Sequence, residues 1–272
     1  DLDLALSLLS HTPDAALDLA ELALLLAREE YPALDVEAYL SELDGMAHEA
    51  RGHLRGSLTQ QVKGLCRYLF HDMGFRGNQQ DYYNARNSYL NDVLDRRIGI
   101  PITLATVAMA VGRRAGLDVV GVGLPGHFIA KAIGDGEEVL FDPFHAGRRL
   151  TPEKCQHLVE QVTGMPFEVN EEALRAVPLA AIVLRILNNL KGVYLRSGDY
   201  PRAAKIIERL RQLNPHDPLQ RRDLGATLFQ AGQAGRAIDH LQAYLQALPK
   251  AGDADTVKQL LMQAKASVAR WN

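Results

Sequence analysis

The sequence predicts an α+β protein that is mostly helical, with one small antiparallel sheet and an all-α repeat segment behind it. Three observations carry that expectation. Leu and Ala recur at three- and four-residue spacing along most of the chain, while aromatics make up only 6%. Strand-like composition is confined to one stretch, Asp118 to Phe141, with Gly134-Asp135-Gly136 inside it. From about residue 190 the chain matches itself at an offset of 34 residues. With 272 residues, 47% of them hydrophobic, there is material for one large core or two ordinary ones. The expected division is 1–170 for a core with N-terminal helices and 171–272 for the repeats and a capping helix.

In the first third, Ala15, Leu19, Leu22, Ala23 and Leu26 fall at helical spacing, with Pro13 near the start and Pro32 as the stop. Amphipathic segments follow over Asp35–Ala50 and Leu58–Phe70; in the latter, Val62, Leu65, Cys66, Leu69 and Phe70 share a stripe. Gly74 to Arg86 reads as a long polar loop with aromatics, a size that often serves function. Asn87 or Ser88 is expected to cap the next helix, which runs to Arg97. After Gly99-Ile100-Pro101 another helix presents Leu104, Val107, Ala108 and Val111, and ends on Arg113-Arg114 and Gly116. The Arg96-Arg97 and Arg113-Arg114 pairs read as solvated groups answering helix dipoles. Thr151-Pro152-Glu153 starts a helix to about Val162, and residues 164–178 read as a linker.

Beyond the linker, Gly198 pairs with Gly232, Leu190 with Leu224, Ala203 with Ala237 and Pro215 with Pro249, each 34 apart. Two helices joined by a small-residue turn at that period resemble the tetratricopeptide repeat, whose usual work is protein recognition. The charge balance, Lys+Arg 30 against Asp+Glu 33, gives no field to draw nucleic acid or anionic lipid. No apolar run reaches the length of a membrane span, no leader pattern is seen, and two cysteines make no disulfide framework, so a cytoplasmic location is expected.

Chemistry concentrates in Pro125-Gly126-His127-Phe128 and Phe141-Asp142-Pro143-Phe144. A two-residue turn at Asp135-Gly136 pairs residues whose numbers sum to 271, which puts His127 and Asp142 on one face as diagonal neighbours. A three-residue loop would separate them. A carboxylate on one ring nitrogen fixes a histidine's tautomer, the supporting half of a nucleophile–His–Asp triad. The same pair also serves as a purely structural contact. Cys66 and Cys155 both sit on apolar faces and read as core. Thr103, in the first turn of its helix, is a weak nucleophile candidate and a natural cap. His145 lies near enough to join His127 and Asp142 at a metal, but no ligand-spacing motif accompanies them, and no metal or cofactor is assigned.

Asn87-Ser88-Tyr89-Leu90, then Gly99-Ile100-Pro101-Ile102-Thr103-Leu104, then Pro125-Gly126-His127-Phe128 closely resemble the bacterial SirB-type family over about residues 35 to 250. The resemblance implies a papain-like, transglutaminase-like core joined to tetratricopeptide repeats. In the wider superfamily a cysteine at the start of the core helix attacks an amide, with a histidine as base and an aspartate to orient it. His127 and Asp142 match the latter two; Ile102 or Thr103 stands at the cysteine's place. Asn87, Ser88, Tyr83 and Gly126 are expected to form the binding surround. The resulting expectation is a vestigial, non-catalytic protein-binding or regulatory module whose repeats recruit a protein partner. The alternatives are an amide or peptide hydrolase or acyltransferase built on His127 and Asp142 with another nucleophile, and a plain assembly scaffold.

Overall fold

Asp18, not Pro13, starts the first long helix: its carboxylate accepts the backbone N–H groups of Ala20 and Glu21. An N-terminal carboxylate both satisfies orphan donors and suits the helix dipole. Residues around Pro13 form only a 3-10 turn, Asp14–Ala16. The computed structural model describes residues 1–9 and 11–270. The chain divides into two compact units, Asp1–Val183 and Leu184–Asn272.

In chain order the helices of the first unit begin with α1 (Leu2–Leu8), α2 (Leu19–Arg28), α3 (Val36–Ala50) and α4 (Leu58–Cys66). A π-helical turn, Arg67–Asp72, extends α4 where the stripe through Leu69 and Phe70 was expected to continue as α-helix. Then come the short strand β1 (Arg76–Gly77), α5 (Leu90–Arg96), β2 (Ile98–Gly99) and α6 (Pro101–Ala115). The sheet follows as β3 (Asp118–Leu124), β4 (His127–Gly134), β5 (Glu137–Asp142) and β6 (Arg148–Leu150), and then α7 (Pro152–Thr163) and α8 (Leu179–Ser197), which runs past the unit boundary.

Helix α6 is the hub. Every residue from Pro101 to Gly112 is buried, whereas the sequence pattern marked one face. A helix packed all round needs no polar side. α2, α3, β3 and β4 all pack on it. The four strands form an antiparallel meander in the order β3-β4-β5-β6. Asp135 (φ 50°) and Gly136 (φ 77°) make the tight turn, Gly134 pairs with Glu137, and the ladder runs to Ala130 opposite Phe141. This is the register in which paired numbers sum to 271.

Several local expectations fail for physical reasons. The N-cap of α5 is Tyr89, so neither Asn87 nor Ser88 caps it; Asn87 lies in a preceding 3-10 turn capped by Asn84. The long polar loop contains β1, which pairs in parallel with β2 over only two residues, too short to leave an alternating pattern. The arginine pairs are not simply solvated. Arg114 bridges Asp18 and Asp44, tying α2 and α3 to α6. Arg97, in the left-handed region at φ 57°, pairs with Glu42 and covers the Phe75 ring.

The second unit holds the rest of α8, α9 (Tyr200–Leu213), α10 (Pro218–Gln230), α11 (Ala234–Ala247) and α12 (Ala254–Ala269). Its 34-residue period is structural. Gly198 and Gly232 turn the chain at φ 74° and 76°, a conformation that costs glycine little. Ala203 and Ala237 are fully buried, as are Leu190 and Leu224. Ala204, Ile207, Leu224, Leu228, Ala237, Leu241, Tyr244 and Val257 make one apolar core. The fold is thus α+β with a helical repeat segment. Among the described residues no helix is long and apolar enough to cross a membrane.

Candidate functional site

His127 opens β4 straight after its turn from β3, and Asp142 closes β5. The sheet register brings them together: His127 Nε2 lies 3.1 Å from both Oδ1 and Oδ2 of Asp142. The chain then wraps around the carboxylate. Oδ1 accepts the backbone N–H groups of Phe144 (3.0 Å) and His145 (3.4 Å), which caps the turn Pro143–His145. Oδ2 meets Nδ1 of His145 at 2.7 Å. One carboxylate therefore serves two imidazoles and two amides.

Asp142 is fully buried and His127 nearly so, while the His145 side chain is a third exposed. Burial on its own pushes the Asp142 carboxyl up. Hydrogen bonding and charge from His127, and then from His145, more than offset it, so the pKa lies below the ordinary carboxylate value. In the tautomer that carries its proton on Nε2, that proton points at Asp142 and the acceptor lone pair of the ring is on Nδ1. That arrangement sets up a base; what it acts on is a separate question.

Aromatic rings wall the set. The His127 and His145 rings stack at 5.8 Å, and Phe144 meets both edge-on at 6.0 and 5.2 Å. Tyr82 packs edge-on against Phe144 at 6.1 Å, and Tyr83 against Tyr82 at 5.3 Å, with Tyr83 more than half exposed. Gly77 and its contact with Phe144 escaped the sequence reading. A Cβ on Gly77 would lie 2.5 Å from the Phe144 ring and 2.6 Å from its carbonyl oxygen, so β1 backs directly onto the turn. No local pattern signals a contact across that separation.

The remaining residues singled out from the sequence are placed as follows. The Thr103 hydroxyl donates to the carbonyl of Asn87 (2.7 Å) and accepts from the backbone N–H of Ile100 (3.1 Å), which fastens the start of α6. The Asn87 amide nitrogen donates to the carbonyls of Asp81 (2.7 Å) and Tyr82 (3.2 Å), and its oxygen accepts from Asn78 (3.0 Å). Asn87 thus pins the loop that carries the tyrosines. Ser88 is buried beside it. Gly126 turns β3 into β4 at φ 68°.

Both cysteines are buried and free of disulfide. Burial pushes the Cys66 thiol up to about 12. Burial first, then the negative charges of Asp142 and Glu153, push Cys155 up to about 11. Cys155 packs among Val122, Leu124, Ile129 and Leu158. Neither environment favours a thiolate. Among the described residues, one atom each from His127, Asp142 and His145 lie within 4.8 Å of one another, close enough for these three to share a metal ion. Imidazole and carboxylate donors of this kind suit zinc.

Comparison with known proteins agrees with this architecture. Residues 37–188 match the family described as "Transglutaminase-like superfamily", and residues 190–262 match "Tetratricopeptide repeat". A UPF0162 protein of Xylella fastidiosa (strain Temecula1) is 35% identical over 259 residues, covering 92% of this chain and 91% of its own. A UPF0162 protein of Pseudomonas aeruginosa is 32% identical, covering 77% and 76%. F-box only protein 21 of Mus musculus is 32% identical over 151 residues, which are 52% of this chain and 23% of that protein. The chain belongs to the UPF0162 family, with a transglutaminase-like domain followed by tetratricopeptide repeats.

Proposed function

We propose that this chain is a cytoplasmic protein-binding and regulatory module of SirB type, in which a transglutaminase-like domain has lost its thiol chemistry and the repeats recruit a protein partner. One observation carries the reading. The start of α6 bears Ile102 and Thr103 in place of a cysteine, and the Thr103 hydroxyl is spent on backbone groups. Both thiols of the chain lie in apolar surroundings with raised pKa. The His127–Asp142–His145 set is then a retained framework whose two imidazoles and carboxylate hold the Pro143–His145 turn. In this reading the work is divided near residue 170, the core shaping a groove and residues 171–272 selecting the partner.

A second reading keeps the pair in use: an amide hydrolase or acyltransferase with His127 as base, Asp142 as orienter, and water or an unassigned hydroxyl as nucleophile. The buried 3.1 Å contact behind an aromatic wall favours it. Affinity purification of the full chain from its native host tests the binding reading. The binding reading expects His127→Ala to retain the partner of the unaltered chain, and the exposed double substitution Leu219→Glu with Met262→Glu to lose it. Loss of the partner with His127→Ala in a folded protein, with the repeat variant unaffected, contradicts that reading.

A further inference from the structure

A concavity lies in the first unit beside the turn that follows Asp142, lined in part by Ala146 and Gly147. It is a cavity of about 730 Å³, within the range of small-molecule sites. Its floor is apolar, formed by Val62 and Cys66 of α4, Phe70 of the π-helical turn and Val139 of β5. Its rim is cationic: Lys63, Arg67 and Arg149 are exposed around it, and none of the described residues that line it is acidic. His71 also reaches the rim, but it is held by Asp72 at 2.9 Å. Among the described residues Lys63, Arg67 and Arg149 have no carboxylate within salt-bridge distance, although Asp72, its carboxyl pKa lowered first by the His71 hydrogen bond, is near enough to Arg67 to be lowered in part by that charge.

Two features of the backbone make this cavity. The π-helical turn Arg67–Asp72 supplies Arg67, Phe70 and His71, and such turns concentrate at functional sites because they re-aim side chains. Opposite, a Cβ on Gly147 would sit 2.5 Å from Cys66 Sγ and 2.8 Å from the Phe70 ring. Only glycine lets the chain line the cavity this closely. Gly147 also donates its N–H to the Asp142 carbonyl at 2.8 Å, so the cavity wall is the back of the turn that holds the His–Asp–His set.

We propose that this cavity binds an acyl chain with an anionic head group, the chain against Val62, Phe70 and Val139 and the head group among Lys63, Arg67 and Arg149. An apolar floor stabilises a hydrocarbon in proportion to the area it covers, and a rim of one charge sign selects the head. A neutral or cationic amphiphile meets the same floor without the rim's attraction. His127 does not line the site, and binding there does not depend on whether the domain retains any chemistry.

Calorimetric titration of the full chain tests the proposal with three probes sharing one chain: dodecanoate, dodecanoyl-coenzyme A and dodecanol. Saturable binding of dodecanoate or of the thioester is expected, with dodecanol weaker; which of the two anions binds tighter identifies the source of the acyl group. Lys63→Glu with Arg149→Glu should weaken the bound anion by about tenfold or more while leaving dodecanol within about twofold. Should the double reversal fail to fold, Lys63→Gln and Arg149→Gln taken singly should each weaken the anion and spare dodecanol. Absence of saturable binding by both anions, equal affinity for dodecanol, or folded rim variants that bind the anion unchanged would each overturn the assignment.

Discussion

Asp142 holds His127 and His145 at once, one carboxylate between two stacked rings, with Oδ1 also capping the turn that carries His145. The carboxyl pKa is lowered against the pull of burial, so folding favours its ionised form. Its stabilisation is present above the ordinary aspartate value of about 3.9 and fades as pH falls through the lower folded value. Asp142→Asn should therefore cost about 2–4 kcal/mol near neutrality and flatten the acid limb of the stability curve. Urea unfolding of both forms from pH 7 down to pH 3 checks this, and the gap between them should narrow at the acid end.

Gly77 packs closely against Phe144, whose ring contacts both histidines of the set. A methyl group at Gly77 has nowhere to go without moving the Phe144 ring or backbone. Gly77→Ala is expected to destabilise by about 1–3 kcal/mol, the usual cost of overpacking. It should also disturb the histidines, since Phe144 contacts both rings. Imidazole proton resonances recorded with the unfolding curve read both effects; a shift in stability with unmoved His127 and His145 signals would contradict the coupling.

What the sequence made legible follows from the range of each signal. The Asp135-Gly136 turn fixes the register locally, and that register alone brings His127 to Asp142, so the pair was readable from the sixteen residues 127–142. The repeats were equally legible, because Gly198/Gly232 and Ala203/Ala237 recur under the same backbone and packing demands. Three things were hidden. The two-residue strands β1 and β2 are too short to alternate. The arginines at helix ends looked solvated because their partners, Glu42 for Arg97 and Asp18 and Asp44 for Arg114, lie more than fifty residues away. The Gly77–Phe144 contact depends on backbone proximity that no spacing rule encodes.

Thr103 gives a clean separation of structural and chemical roles. Its hydroxyl joins the Ile100 N–H and the Asn87 carbonyl while fully buried at the start of α6. Thr103→Val keeps the shape and leaves both groups unsatisfied, at an expected cost of about 2–3 kcal/mol. Thr103→Ser should recover much of that stability. Thermal unfolding of the three forms measures it; equal stability of Thr103→Val and the unaltered chain would show that the hydroxyl fastens nothing.

The central claim is that His127 and Asp142 have no thiol to activate, and intact-mass spectrometry tests it most directly. The full chain and His127→Ala would each be exposed to p-nitrophenyl butyrate at pH 7.5, and the protein mass followed. Thiols raised to about 12 at Cys66 and about 11 at Cys155 are almost wholly protonated at that pH. The account predicts no butyryl adduct of about +70 Da on either cysteine and the same slow ester loss with both proteins. A stoichiometric adduct on a cysteine that disappears with His127→Ala would contradict it.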